Sequence, residues 1–358
     1  MKKMTKIIVI GASGVLGGLI CTEILNLFKK NVKLFIGDYK SNRGKITADY
    51  FNAEFCETNI DDLNELSLSL SGKDLVIITI NQKEPVIQKL CLEKSIPCID
   101  ITAFYSFAKK VQTLYNTDTN DNKSTSIIMA GFWPGLSGLL LTEALKEFDE
   151  VYESNISLIQ NTNAKAGASG IVDMLKIISE PVNTMYNDTN ITLSGFSLKR
   201  KIKLPFANKE YTTRLISHSE KQMLSEKLPV RNINYWTTWN NCFFNLLISI
   251  MNKTKLLNII VNKIDKNTIN KIPRHDAKKS EETILVVDVK GKKENNIIVK
   301  KLCIKTFSDY GTTAKIVAAL ARESLTNRTA GVCLPLEITT LNKVLKIIND
   351  ERIEYYDS

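Results

Sequence analysis

Gly11, Gly14 and Gly17 follow the apolar run Ile7–Ile10 and open the helix-compatible stretch Val15–Phe28. Glycines at that spacing, between a strand and a helix, suit the binding of a pyrophosphate. Gly11 permits a tight turn off the strand, and Gly14 lets backbone approach phosphate oxygens. Gly17 lets the helix pack closely on the strand. The free N–H groups at the helix start then present partial positive charge to the anion. Ser13 stands where the commonest fingerprint has its middle glycine, and Val15 and Leu16 complete the turn. Asp38 ends the next apolar stretch, 21 residues after Gly17. An acid there accepts hydrogen bonds from the ribose hydroxyls of NAD. Lys40 and Arg43 follow at once and suit the 2′-phosphate of NADP, so the choice between NAD and NADP stays open.

Further candidates lie where later strands end. Thr79, Ile80 and Asn81 close the apolar run Leu75–Ile80, and Asp100 and Thr102 close Pro97–Ile101. In open parallel sheets, ligands sit beyond such carboxyl ends. Asp100 equally suits a capping role. Phe132-Trp133-Pro134-Gly135 combines ring surface with two turn formers, fitting both a pocket wall and a hinge. Gly167–Gly170 with Asp173 marks a helix start able to receive a carboxylate or simply to cap itself. His218 is a candidate proton donor, although its neighbours Ser217, Ser219 and Glu220 suit a solvated surface. Arg214 and Arg231 are candidate clamps for a carboxylate. The catalytic candidates are therefore Asp100, Trp133 and His218.

Composition narrows the classes. The 358 residues suffice for two domains. The formal charge of +10 is scattered, with no arginine-rich or aromatic–basic motif for nucleic acid. Seven cysteines without a C-x-x-C pair suit reduced thiols in a cytoplasmic protein. Two histidines argue against a histidine-based metal site, so no metal is expected. Met1–Lys6 and the apolar run after it mimic a secretion signal, but the run carries the glycine turn and reads as mature fold. Phe243–Ile264 is apolar but broken by Asn252-Lys253-Thr254-Lys255, too polar at its centre to span a membrane.

The elements that position these residues alternate through the first third. Strands are expected at 7–10, 32–37, 53–57, 75–80, 97–101 and 127–129, with helices between, as in a doubly wound parallel sheet. Asn116–Ser126 is a polar loop. Gly131–Gly138 marks a change of domain. Beyond it, Val151–Ile159, Lys199–Leu204, Tyr211–Ser217 and Arg231–Thr238 read as strands. Ala168–Ser179 reads as a helix and Asn241–Ile264 as one long helix. Asp265–Glu282 is a charged loop. Thr283–Lys290 and Ile297–Phe307 form a hairpin about Gly291-Lys292-Lys293. Helices Thr313–Leu325 and Leu336–Asn349 close the chain.

Several blocks in order resemble the saccharopine dehydrogenase-type oxidoreductases, in particular the compact branch with saccharopine reductase and carboxynorspermidine dehydrogenase. They are GASGVLG at 11–17, SIPCIDIT at 95–102, AGFWPGLSGLL at 130–140 and GASGIVDML at 167–175. TILVVDVKG at 283–291, TTAKIVAALARESL at 312–325 and GVCLPLEI at 331–338 follow. The chain departs from the pattern after Leu75–Ile80, keeping Asn81 but not the glycine turn. It also has Asp38 where many relatives have arginine, and about 187–264 matches no block. The resemblance implies an α/β fold with a Rossmann doubly wound parallel sheet over 1–130. A second α/β domain with a mixed or antiparallel sheet is implied over 131–310, with C-terminal helices over 311–358 packing back on the first. It implies hydride transfer between NAD or NADP and a C–N or carbonyl carbon of a small amino-acid- or polyamine-derived substrate. The site is expected in the cleft between the domains, with Thr79–Asn81 and Asp100–Thr102 as floor. The partners expected are a small-molecule substrate, no nucleic acid and no stable membrane insertion, with a homodimer left open. A non-catalytic dinucleotide-binding sensor is the alternative, because no general acid stands out. A short-chain-type reductase is disfavoured, since no Tyr-x-x-x-Lys pair occurs at Tyr39, Tyr115 or Tyr211.

Overall fold

The computed structural model describes residues 4–117, 124–186, 189–230, 232–263, 275–327 and 329–358. Parts of the two expected loops, 118–123 and 264–274, and the candidate Arg231 lie outside the described residues. The chain divides into two compact units, one of residues 1–139 with 310–349 and the other of 140–309 with 350–358.

The first unit holds a seven-stranded sheet. Its strands are β1 (Thr5–Ile10), β2 (Val32–Asp38), β3 (Glu54–Glu57), β4 (Leu75–Ile78), β5 (Cys98–Asp100), β6 (Thr125–Ile127) and β15 (Gly331–Cys333). The order is β15-β6-β5-β4-β1-β2-β3, and every pairing is parallel. This is the expected doubly wound sheet, whose order reverses between β1 and β4. Ile7–Ile10 and all of β4 are buried. Near-continuous apolar runs are what strands covered on both faces require. Helices α1 (Val15–Phe28), α2 (Ser41–Phe51), α3 (Leu63–Leu70), α4 (Val86–Glu93) and α5 (Tyr105–Thr117) connect them. Leu66, Leu70, Ile87 and Cys91 pack on Ile8, Ile10, Val76 and Ile78. Each such buried side chain contributes about 2 kcal/mol.

α6 (Leu136–Leu145) follows the turn after β6. The C-terminal helix α11 (Asp309–Thr326) returns to the first unit, as expected. Its Ala314, Ala318, Ala319 and Ala321 are buried, and Lys315 pairs with Glu23 of α1 at 3.0 Å. Short α12 (Pro335–Ile338) and α13 (Leu341–Ile348) complete the unit. Strand β15 is an addition that three residues were too few to signal.

The second unit is built on another seven-stranded sheet. It comprises β7 (Glu150–Gln160), β10 (Lys199–Lys203), β11 (Glu210–Ile216), β12 (Ile233–Trp239), β13 (Thr283–Lys293), β14 (Asn296–Thr306) and β16 (Glu354–Asp357). The order is β10-β11-β12-β7-β13-β14-β16. The sheet is mixed, because β12 runs parallel to β7 while the other neighbours are antiparallel. β8 (Val182–Tyr186) and β9 (Thr189–Leu193) make a separate hairpin. α7 (Ala168–Ser179), α8 (Glu220–Lys227), α9 (Cys242–Lys253) and α10 (Leu256–Lys263) complete the unit. A polar ladder ties four strands across one face. Arg200 pairs with Asp288, Asn155 Nδ2 donates to Asp288 at 3.3 Å, and Trp236 Nε1 donates to Asn155 Oδ1 at 2.8 Å.

Several local expectations need correction, among them the closing helix Leu336–Asn349, which is two helices parted at Thr339-Thr340. The assignment of 311–358 to the first domain fails at its end, because β16 pairs with β14 and residues 350–358 belong to the second unit. The long helix Asn241–Ile264 is two helices, since Lys255 adopts φ 59° and breaks the run. The hairpin turns at Glu294-Asn295, where φ is 47° and 69°, and not at Gly291–Lys293. Gly291 lies within β13 at a register shift, where an added Cβ would come 2.3 Å from the Glu150 carbonyl oxygen. The glycine serves a close approach and not a turn. No helix among the described residues is long and apolar enough to cross a membrane.

Glutamate is a poor choice for a left-handed turn position. Glu294→Asn should therefore stabilise the chain by a few tenths to about 1 kcal/mol, read from urea unfolding of the two proteins.

Candidate functional site

The glycine turn is built as its spacing requires. Gly11 has φ 84° and donates its N–H to Gly37 O at 2.8 Å, tying the end of β1 to β2. A Cβ on Gly17 would lie 2.3 Å from Gly11 O and 2.8 Å from Ala12 Cα. Helix α1 therefore reaches the end of β1 only with glycine at 17. Gly14 is the N-cap, extended at φ −77° and ψ 163°, without a side chain to cap the helix. No acid occupies the first turn of α1, and Gly14 and Val15 are exposed. Free N–H groups and the helix dipole thus face an open surface suited to an anion. Ser13 accepts a hydrogen bond from Thr47 at 2.9 Å, and Leu16 is half-buried.

Asp38 sits at the end of β2, but its carboxylate is covered. Arg43 donates from Nε to Oδ2 at 2.9 Å and from Nη2 to Oδ1 at 2.7 Å, and Lys40 N–H donates to Oδ1 at 2.9 Å. Burial works to raise the Asp38 pKa. The hydrogen bonds from Arg43, Lys40 and Ser13, with the Arg43 charge, outweigh it and hold the carboxyl below its ordinary value. Gly44 makes this pairing possible: a Cβ there would lie 2.2 Å from the Phe55 ring, so α2 packs directly on β2 and β3. The exposed cations at this strand end are Lys40 and Arg43, beside the exposed Tyr39.

Thr79 follows β4 and seals the crevice floor. Its N–H and hydroxyl both donate to Ile10 O, at 3.0 and 2.8 Å. A Cβ on Gly11 would strike Thr79 and Ile80 at 2.6 Å, so the two strand ends are in close contact. Asn81 is exposed just beyond. Asp100 ends β5 and is buried. Thr102 N–H donates to Oδ1 at 2.7 Å, and Gln88 Nε2 donates to Oδ2. Gln82 in turn donates to Gln88 Oε1 at 3.1 Å and accepts from Ile87 N–H at 3.1 Å. Burial raises the Asp100 pKa, only partly offset by those donors, to about 7. Ala130 N–H donates to Asp100 O at 3.1 Å, so the turn carrying Trp133 starts beside Asp100. Gly131 N–H donates to Pro134 O at 2.9 Å, and Phe132 N–H to Thr313 Oγ1 at 3.1 Å. Trp133 is half-buried on this turn.

Gly11–Gly17, Asp38, Arg43, Thr79–Asn81, Asp100, Thr102 and Trp133 thus belong to the first unit, at or just beyond the carboxyl ends of its parallel strands. His218 does not. It is buried in the second unit, stacked on Tyr235 with centroids 4.4 Å apart. Burial lowers its pKa to about 3. Both readings of His218 need correction: it is no solvated residue, and near neutral pH it holds no imidazolium proton to donate. Arg214 lies in β11 with 8% of its surface exposed, its guanidinium 5.0 Å from the Phe196 ring centroid. Its Nε has no hydrogen-bond partner among the described residues. Gly167 is the N-cap of α7 and brings no side-chain cap. Gln82 and Gln88 escaped sequence reading. The signal was there in Gln88, an amide on the apolar face of VIQKLCLE.

No family model matches the chain, and no curated protein matches it. Among solved structures, the apo saccharopine dehydrogenase (L-Glu forming) of Saccharomyces cerevisiae aligns over 99% of this chain and 100% of its own, with TM-score 0.71 at 10% identity. The chain has the fold of saccharopine dehydrogenase. C. glutamicum DAP dehydrogenase in complex with DAP aligns over 98% of this chain and 97% of its own, with TM-score 0.49 at 12% identity.

The Asp100 carboxyl binds its proton more tightly in the folded chain than in the unfolded one. Stability therefore falls as pH rises from about 4 to about 7, with a cost on the order of 4 kcal/mol above that window. Asp100→Asn should stabilise the protein by at least about 1 kcal/mol near pH 8 and change little near pH 4. Urea unfolding at the two pH values checks this.

Proposed function

We propose that this chain is an NAD(P)-dependent oxidoreductase acting on a C–N or carbonyl carbon of a small amino-acid- or polyamine-derived substrate. The observation that carries the reading is the pairing of two features in one sheet. One is the open start of α1 at Gly14, held against β1 by a contact that has no room for a Cβ at residue 17. The other is a carboxyl at the end of β5 that titrates near neutrality.

That helix start fits the pyrophosphate of a nicotinamide dinucleotide. Gly14, Val15 and Leu16 would hold its phosphates, and Thr79, Ile80, Asn81 and Thr102 would line the nicotinamide half. When bound, that group supplies or accepts the hydride. Because Arg43 covers Asp38, the exposed cations Arg43 and Lys40 are the groups a cofactor meets first, and we place NADP ahead of NAD. Asp38 then acts by aiming the guanidinium.

Asp100 has the pKa wanted of a group that gives or takes a proton near pH 7. In the reductive direction its protonated form supplies the proton that the new amine or hydroxyl gains. Trp133, on the turn that starts where Ala130 N–H meets Asp100 O, would offer ring surface to the substrate.

Two experiments test this. NADPH fluorescence should change on binding, with NADPH held more tightly than NADH. Gly14→Asp should abolish the signal, and Arg43→Ala should cost NADPH at least about tenfold while sparing NADH. A screen of amino-acid-derived imines, secondary amines and carbonyls should find turnover. Asp100→Ala and Trp133→Ala should each lose most of it with cofactor binding within a few-fold. For the parent, reductive turnover should fall as pH rises through about 7, where Asp100 loses its proton.

A further inference from the structure

Helix α9 is amphipathic in the wrong sense for a helix on a protein surface. Its polar side chains face inward. Asn245 accepts from Trp239 N–H at 2.9 Å and donates to Trp239 O at 2.8 Å, and Asn252 donates to Ile178 O at 3.3 Å and to Gly195 O. Ile248 is buried beside Asn245 and Phe244 packs on Trp239, but four other apolar side chains face out. Phe243, Leu246, Leu247 and Ile250, at i, i+3, i+4 and i+7, form one stripe, which Leu256 and Ile259 extend onto α10. All six are between 42% and 75% exposed. Ordinary surface helices show the reverse arrangement, and a contiguous apolar stripe of this kind marks an interaction surface.

The charges around the stripe say what covers it. Helices α9 and α10 contain no aspartate or glutamate, while Lys253 and Lys255 carry positive charge. Lys253 and Lys255 are exposed at the junction of the two helices, between the two parts of the stripe. A two-fold contact between copies of this chain through α9 and α10 would set lysine against lysine, with no acid on either helix to answer it. An anionic lipid surface answers both features: acyl chains take the apolar stripe and headgroups take the lysines. Thr254 and Lys255, which make the segment unfit to span a bilayer, sit where a helix pair lying in the interface would keep them in the headgroup layer.

We propose that α9 and α10 form a peripheral docking surface for anionic membranes, lying in the interface without crossing it. This is independent of the oxidoreductase reading.

The test is flotation of the full chain with vesicles of phosphatidylcholine, with and without phosphatidylserine at roughly three parts in ten. The protein should float with the serine-containing vesicles and be released by salt. The triple change Leu246→Ser, Leu247→Ser and Ile250→Ser should weaken binding by at least about tenfold. So should the pair Lys253→Glu and Lys255→Glu, which leaves the apolar stripe untouched and guards against a folding defect in the first variant. Failure of the parent to float with anionic vesicles would overturn the proposal, as would undiminished binding by both variants. A parent that elutes as a dimer, does not float, and becomes a monomer on the triple change would assign the stripe to a second copy instead.

Discussion

Helix α1 can meet strand β1 only because residue 17 has no side chain. The space between the Gly17 Cα and the Gly11 carbonyl is already filled by backbone. That contact fixes where the helix starts and leaves its first N–H groups open at Gly14. The neighbouring strand ends are locked to the same point, Gly37 through the Gly11 N–H and Thr79 through the Ile10 carbonyl. The floor of the candidate site is thus a set of backbone bonds among β1, β2 and β4, to which side chains add little.

Onto this floor the chain places two carboxylates with opposite tuning. Asp38 is buried against a guanidinium and stays ionised below its usual range. Asp100 is equally buried but meets only neutral donors, Gln88 and the Thr102 N–H, so desolvation dominates and lifts its pKa. Two aspartates at the ends of β2 and β5, with β4 and β1 between them in one parallel sheet, are thereby shifted in opposite directions. The first stays ionised beside Arg43, and the second keeps its proton up to a pH of about 7.

Much of this was legible in residue order. The strand–glycine–helix succession located β1, α1 and their turn, and apolar runs located β2 and β4. The small residues of α11 pointed to its return to the first unit. What escaped depended on partners distant in sequence. The Arg43 cover on Asp38 depends on Gly44 meeting Phe55, which no local pattern reveals. The lowered pKa of His218 comes from burial, with Tyr235 of β12 stacked against it. Gly291 looked like a turn residue because the approach of Glu150 is not written beside it. The inversion of α9 is hidden for the same reason: periodicity shows that a helix has an apolar side, and only the bonds of Asn245 and Asn252 show which side faces in.

The central claim is that a dinucleotide seats its phosphates on the start of α1. Amide hydrogen exchange, measured peptide by peptide with and without NADPH, addresses it most directly. Slowed exchange is expected in the peptides covering Gly11–Gly17 and Asp38–Arg43, with the second-unit strands β10 and β11 unaffected. Unchanged exchange over Gly11–Gly17 at a concentration that saturates binding would contradict it.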